Sequence, residues 1–154
     1  MRVVVAVVGK PRHADLRKAI SDYESRAARY WPLEVHEVRE ESASALDAAG
    51  VKSREAKRLA EKIPSGARVI ACDARGDSLS SEQFAKMLQS SRESARDLAF
   101  VIGGAFGLGE ALLAGAQSTL SLAPFTLPHE LARLVLAEQI YRAGTIVRGE
   151  PYHK

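Results

Sequence analysis

His129 and Arg133 stand four residues apart where an apolar helical run begins, and Tyr152-His153 lie almost at the end of the chain. An imidazole accepts or releases a proton near neutral pH, and a guanidinium holds anions. An aromatic ring beside an imidazole suits a stacked or hydrogen-bonded nucleobase. The rest of the inventory is unreactive. There is no Ser/His/Asp arrangement, no close carboxylate pair and a single cysteine, Cys72. Hydrolysis and covalent catalysis therefore lack their residues. What remains is chemistry by positioning, with a bound cofactor that carries the reactive group.

Two stretches could hold such a cofactor through backbone. The first is Gly103-Gly104-Ala105-Phe106-Gly107. It is not a phosphate loop, since no Gly-Lys-Ser/Thr follows, and it does not match G-x-G-x-x-G. Paired glycines serve a tight turn, or they let a ligand lie against bare main chain. On the second use, a side chain added at Gly104 is expected to stand in the ligand's place. The other stretch is Ala123-Pro124-Phe125-Thr126-Leu127-Pro128. It contains no acid or base, and its two prolines fix φ and reduce the entropy lost on clasping a ligand. Pro128 also suits the first turn of a helix.

These residues need elements to position them. Val3–Val8 is a β-branched run closed by Gly9 and reads as a strand buried on both faces. His13–Arg29 is helical in pattern, with Leu16, Ile20 and Tyr23 on one face. Leu33–Val38 alternates and reads as a more exposed strand. Residues 42–50 read as loop, Lys52–Ile63 as helix, and Ala67–Asp73 as a buried strand. Ser80–Ser90 reads as a helix opened by a capping box of Ser80 with Gln83. Leu98–Ile102 is a strand, Glu110–Ala116 a short helix, Thr119–Ala123 the last strand and Leu131–Ala143 the last helix. Strands alternating with helices predict one α/β domain over 1–154 with a mainly parallel sheet. Such sheets place ligands at the carboxyl ends of their strands, where Asp73-Ala74-Arg75-Gly76, the glycine stretch and the 123–128 loop all fall. The last helix is apolar on most of its circumference. A second subunit covering it would explain that, so a homodimer is expected.

The bulk numbers fit this reading. The chain has 154 residues, 46% hydrophobic and 27% charged, with a formal charge of +3. No apolar run reaches the roughly 18 residues that span a bilayer, so no membrane partner is expected. One cysteine and no Cys/His cluster of zinc spacing predict no disulfide, no metal and a reducing, cytoplasmic compartment. The pI of about 9.2 is a mild bias toward an anionic partner such as RNA.

"AVVGK" (6–10), "VIGGAFGL" (101–108), "TLPHELARLVLAEQIYRA" (126–143) and the terminal "RGEPYHK" (148–154) resemble the RlmH family. These are ribosomal RNA large-subunit methyltransferases of the SPOUT class, and the resemblance spans the whole chain. It implies an α/β fold with a trefoil knot, a rare exception to unthreaded topology. It also implies a homodimer that uses S-adenosyl-L-methionine to methylate N3 of a pseudouridine in 23S rRNA on the assembled ribosome. A charge of only +3 suits an enzyme that reads a particle's shape, since affinity for naked RNA demands more basic surface.

Carried onto these positions, the resemblance puts Cys72, Gly103, Gly104 and Ala123, Pro124, Phe125, Thr126, Leu127 and Pro128 at the cofactor. Cys72 stands where relatives commonly have Leu. The same resemblance puts His129, Arg133, Arg142, Tyr152 and His153 near the target nucleotide, with His153 or His129 as the base. Removing 152–154 is then expected to spare fold and cofactor binding but cut methyl transfer. Three rivals stay open at this level: a SPOUT enzyme acting on tRNA, a non-catalytic RNA-binding α/β module and a Rossmann-type dehydrogenase.

Overall fold

The computed structural model describes residues 1–44 and 47–154. Five strands form one sheet: β1 (Val3–Val8), β2 (Leu33–Val38), β3 (Arg68–Ser78), β4 (Leu98–Ile102) and β5 (Ser118–Ser121). They lie in the order β2-β1-β4-β3-β5, and every pairing is parallel. Among the described residues five helices cover the sheet: α1 (Ala14–Ala27), α2 (Ala48–Ala60), α3 (Ser81–Glu93), α4 (Glu110–Gly115) and α5 (His129–Val147). Among the described residues no helix is long and apolar enough to cross a membrane.

The period of two in β1 explains the layering. Val3, Val5 and Val7 face one side and join Phe100, Trp31, Leu136 and Ile140 under α1, α3 and α5. Ala6 and Val8 face the other side and join Leu59, Val101 and Leu108. Both faces are dry, which is why the run reads as continuous β-branched residues. β2 is an edge strand and is mostly half-buried.

α5 lies between α1 and α3, and both pack on it. Leu136 and Ile140 are fully buried, and Trp31 Nε1 donates to the Ile140 carbonyl at 3.0 Å. The apolar circumference of α5 is thus largely used within the chain. That corrects the premise that a second subunit is needed to cover it.

Several boundaries differ from the pattern reading: α5 runs to Val147 and not Ala143, β5 ends at Ser121 and not Ala123, and three others have a local cause. β3 continues to Ser78 because residues 73–76 bulge out and the strand then pairs again with β5. Leu120 is opposite both Cys72 and Asp77. α2 begins at Ala48, because the Asp47 side chain caps it by accepting from Gly50 N at 2.8 Å. That shortens the loop expected over 42–50, of which Ala45 and Leu46 lie outside the described residues. The capping box at Ser80 and Gln83 forms as expected, and α3 runs on to Glu93.

Candidate functional site

The bulge of β3, the turn after β4 and the loop after β5 come together at one end of the sheet and enclose a cavity of about 410 Å³. Its wall includes Cys72, Gly103, Gly104, Ala123, Phe125, Thr126 and Leu127, all expected there. Pro124 and Pro128 do not line it, which corrects two positions of that set. Pro124 is exposed, and Pro128 is the N-cap residue of α5 with φ −52°. Both act on the path of the backbone and not as wall.

The ionisable groups on the wall are Cys72, Asp73, Arg75 and His129. Ile102, Leu122 and Leu127 supply apolar surface. Burial pushes the Cys72 thiol up to about 12, so it stays protonated and inert at neutral pH. Phe125 is 78% exposed and Phe106 46% exposed, and both stand at the mouth. Asp73 and Arg75, from one of the three strand ends marked in the sequence, also line the cavity, though they were not among the expected cofactor residues. The Arg75 guanidinium bonds both Asp73 oxygens, at 2.9 and 3.0 Å, and holds that carboxyl below the usual carboxylate range. Their signal was present in the Asp73-Ala74-Arg75-Gly76 turn sequence, but a strand ending at Asp73 gave no reason to aim them inward.

The glycines work differently from the expectation. A Cβ at Gly103 would come within 2.5 Å of the Gly107 carbonyl carbon, so this residue lets the turn fold onto itself. A Cβ at Gly104 would meet Glu55 Oε2 at 2.8 Å and Val8 at 3.0 Å. It would point into the protein interior and not at a ligand in the cavity. What both positions offer the cavity is bare main chain.

His129 opens α5 on the cavity wall, with its Nε2 buried and 3.6 Å from Glu40 Oε1. Arg133 does not share an open face with it. Arg133 is 6% exposed, and its guanidinium bonds Glu24 at 2.7 and 3.2 Å and Glu37 at 2.7 Å. It joins α5 to α1 and β2, which corrects the expectation that it is offered to RNA. Helical spacing predicted the shared side of the helix but not the two carboxylates, which come from distant segments.

The terminal residues are docked. Tyr152 packs on Tyr141 at 4.6 Å between ring centres, and its hydroxyl donates to Glu138 at 3.0 Å. Burial, together with bonding to Tyr23 and Glu138, raises its phenol. Arg142 lies over the Tyr152 ring at 4.8 Å and bonds the same Glu138. His153 Nε2 is 2.8 Å from Glu82 Oε1 on α3. Arg142, Tyr152 and His153 therefore come together, as expected. His129 is not with them: Glu138 follows it by nine helical residues, about 13 Å along the axis, and Arg142 by about 20 Å.

Comparison with known proteins narrows the reading. The family model described as "Predicted SPOUT methyltransferase" matches residues 1–153. The protein of Gemmatimonas aurantiaca named ribosomal RNA large subunit methyltransferase H is 61% identical over the full length of both chains. The protein of the same name from Syntrophotalea carbinolica is 44% identical over 99% of each. In fold, the chain is similar to the crystal structure of a probable methyltransferase from Bordetella pertussis, with a TM-score of 0.55 at 15% identity, covering 92% of this chain and 95% of that one. A cavity of main chain and apolar surface, in a fold shared with methyltransferases and a sequence matched end to end, leads to one conclusion: this chain is a methyltransferase of the SPOUT family and belongs with the ribosomal RNA large subunit methyltransferase H proteins.

Proposed function

We propose that the chain transfers the methyl group of S-adenosyl-L-methionine to N3 of a pseudouridine in 23S rRNA of the assembled ribosome. The observation that carries the reading is the cavity of three strand ends. Its size suits a small cofactor, its walls are largely apolar and main chain, and it carries one imidazole, His129, apart from the ion-paired Asp73 and Arg75. Gly103-Gly104, Leu122, Ala123 and residues 125–127 would hold the cofactor by backbone groups, with Leu122, Leu127 and Phe125 against its less polar parts. When bound, the cofactor supplies an electrophilic methyl group on a sulfonium.

The residues of the chain do the rest. The stiff 123–128 loop fixes the direction of attack, which is where most of such a rate enhancement arises. The new N3–CH3 bond forms as the sulfur–carbon bond breaks, and sulfur keeps that electron pair. The imide proton of N3 must then leave, and a neutral imidazole is the group to take it. His129 is at the cavity, whereas His153 lies beside Arg142, about 20 Å along α5 in the same chain. If the tail acts at a cavity, it does so in a second copy. A homodimer is therefore part of the proposal, and the exposed Phe106, Phe125 and Leu131 near the mouth are apolar surface it could cover. The trefoil knot belongs to the same reading, with the 103–108 and 122–128 loops as the threaded part.

Calorimetric titration with S-adenosyl-L-methionine and with NAD, followed by methyl transfer to ribosomes and to tRNA, tests the proposal. Micromolar binding of the first cofactor alone and transfer only to ribosomes are expected. NAD binding, transfer to tRNA, or RNA binding with no affinity for either cofactor would each install one of the rivals.

A further inference from the structure

Glu55 on α2 takes part in no step of the transfer described above, yet its placement is costly. It is 3% exposed, its Oε1 accepts the Glu41 N–H at 3.0 Å, and its Oε2 has no hydrogen-bond partner. The carboxylates around it have cations of their own. Arg12 holds Glu40 at 2.6 Å, and Arg58 and Arg54 hold Glu41. On the wall of the first cavity Arg75 holds Asp73. Among the described residues Glu55 makes that one hydrogen bond and no ion pair. A buried carboxylate without a counter-charge works against folding, so its presence calls for another reason.

The position of the group supplies one. Glu55 Oε2 is 2.8 Å from where a Cβ on Gly104 would stand, and Gly104 lines the cavity of the three strand ends. The carboxylate therefore lies directly behind main chain that forms the cavity wall. The missing side chain at Gly104 is what lets it come so close. A charge acts across such a thin layer without contact, because protein screens far less than water. Among the described residues no three His, Cys, Asp or Glu side chains are grouped to hold a metal. That leaves a ligand of the cavity as the source of the missing cation. The cofactor proposed above brings one, since its sulfonium is positive. After transfer the same sulfur is a neutral thioether.

We propose that Glu55 is the counter-charge to the cofactor's sulfonium, acting through the Gly104 main chain, and makes the cavity prefer the methyl donor to the spent thioether. The inference rests on the function proposed above and adds the residue that sets which form of the cofactor the site holds. When the methyl group leaves, sulfur keeps the electron pair of the broken bond and loses its charge. The attraction to Glu55 ends there, so the product is released and fresh donor takes its place. Such an interaction favours the donor before the transition state, so it serves binding and exchange and not the chemical step.

Glu55→Gln keeps the shape and the acceptor for the Glu41 N–H while removing the charge. Calorimetry at pH 8, above the ordinary carboxylate range, compares wild type and variant. The ligands are S-adenosyl-L-methionine, S-adenosyl-L-homocysteine and sinefungin, in which an ammonium-bearing carbon replaces the sulfonium. The expected result is about tenfold weaker binding of both cationic ligands and a change below about twofold for the thioether, the scale of one charge pair across a protein layer. Equal weakening of all three would make Glu55 a mere support of the turn and would overturn the proposal. So would unchanged affinity for S-adenosyl-L-methionine. Weaker binding of S-adenosyl-L-methionine but not of sinefungin would show that the methyl group and not the charge is read, and would also overturn it. If Glu55→Gln fails to fold, Glu55→Met, neutral and of similar length, is measured in the same way. A wild-type protein with no affinity for any of the three would instead remove the proposed function on which the inference stands.

Discussion

Nε2 of His129 and Oε1 of Glu40 lie 3.6 Å apart, too far for a hydrogen bond, with the carboxylate beside the imidazole. Glu40 is itself held by Arg12, whose backbone N–H donates to Glu130 Oε1 at 2.7 Å. The relationship gives a proton accepted at His129 a nearby counter-charge. Glu40→Gln keeps the shape and removes the charge. The expected outcome is unchanged cofactor affinity and a transfer rate about tenfold lower at saturating ribosomes, the low end of acid–base contributions. Substantial recovery in Glu40→Asp would tie the loss to charge. A wild-type rate in Glu40→Gln would detach Glu40 from the chemistry.

Arg133 is the buried partner of two carboxylates, so removing it strands both. Arg133→Leu is expected to destabilise the fold by about 3 kcal/mol, the range found when one partner of a buried pair is lost. Urea denaturation monitored by circular dichroism measures it. A variant as stable as wild type, with reduced ribosome affinity, would restore Arg133 to an RNA-contacting role.

Glu55 predicts a pH dependence. Burial raises its carboxyl above the ordinary range, with Glu40 and Glu41 acting in the same direction and the Glu41 N–H and Arg58 opposing. The folded state then binds this proton at pH values where the unfolded chain has released it. Stability falls as pH rises through that window, and the full cost applies above it. Glu55→Gln removes the burden. Its melting temperature should exceed wild type at pH 8 and converge on it near pH 4, where both forms are neutral. An advantage that grows toward acid would reverse the assignment.

Gly144 sets helix propensity against packing. In an isolated helix, Gly→Ala stabilises by about 1 kcal/mol. Here an added methyl would overlap Cβ and Cγ of Tyr30, which packs directly on the backbone of α5. Overpacking of this kind costs about 1–3 kcal/mol. Gly144→Ala is therefore expected to lower the melting temperature, and Gly144→Ala combined with Tyr30→Gly, which removes Cβ and Cγ alike, should recover the helix gain relative to Tyr30→Gly alone. A rise in the single variant would mean that Tyr30 moves aside freely.

Much of this protein was determined by its sequence alone. The bounds of β1, β2 and β4, the capping box of α3 and the use of strand ends as cavity walls depend on local periodicity and turn chemistry, which neighbouring residues carry. The family also follows from ordered motifs along the chain. Tertiary structure alone decided the rest. β3 resumes beyond its bulge because β5 is there to pair with Asp77 and Ser78. Arg133 turns inward because Glu24 and Glu37, from segments about a hundred residues away, converge on it. The terminal Tyr152-His153 is fixed away from His129 because Tyr141 and Glu138, in the middle of α5, and Glu82, at the start of α3, offer stacking, a hydroxyl acceptor and a hydrogen-bond partner. Spacing along one helix reveals which residues share a side. Whether that side meets water, a carboxylate or a ligand is settled by packing between segments that no local pattern records.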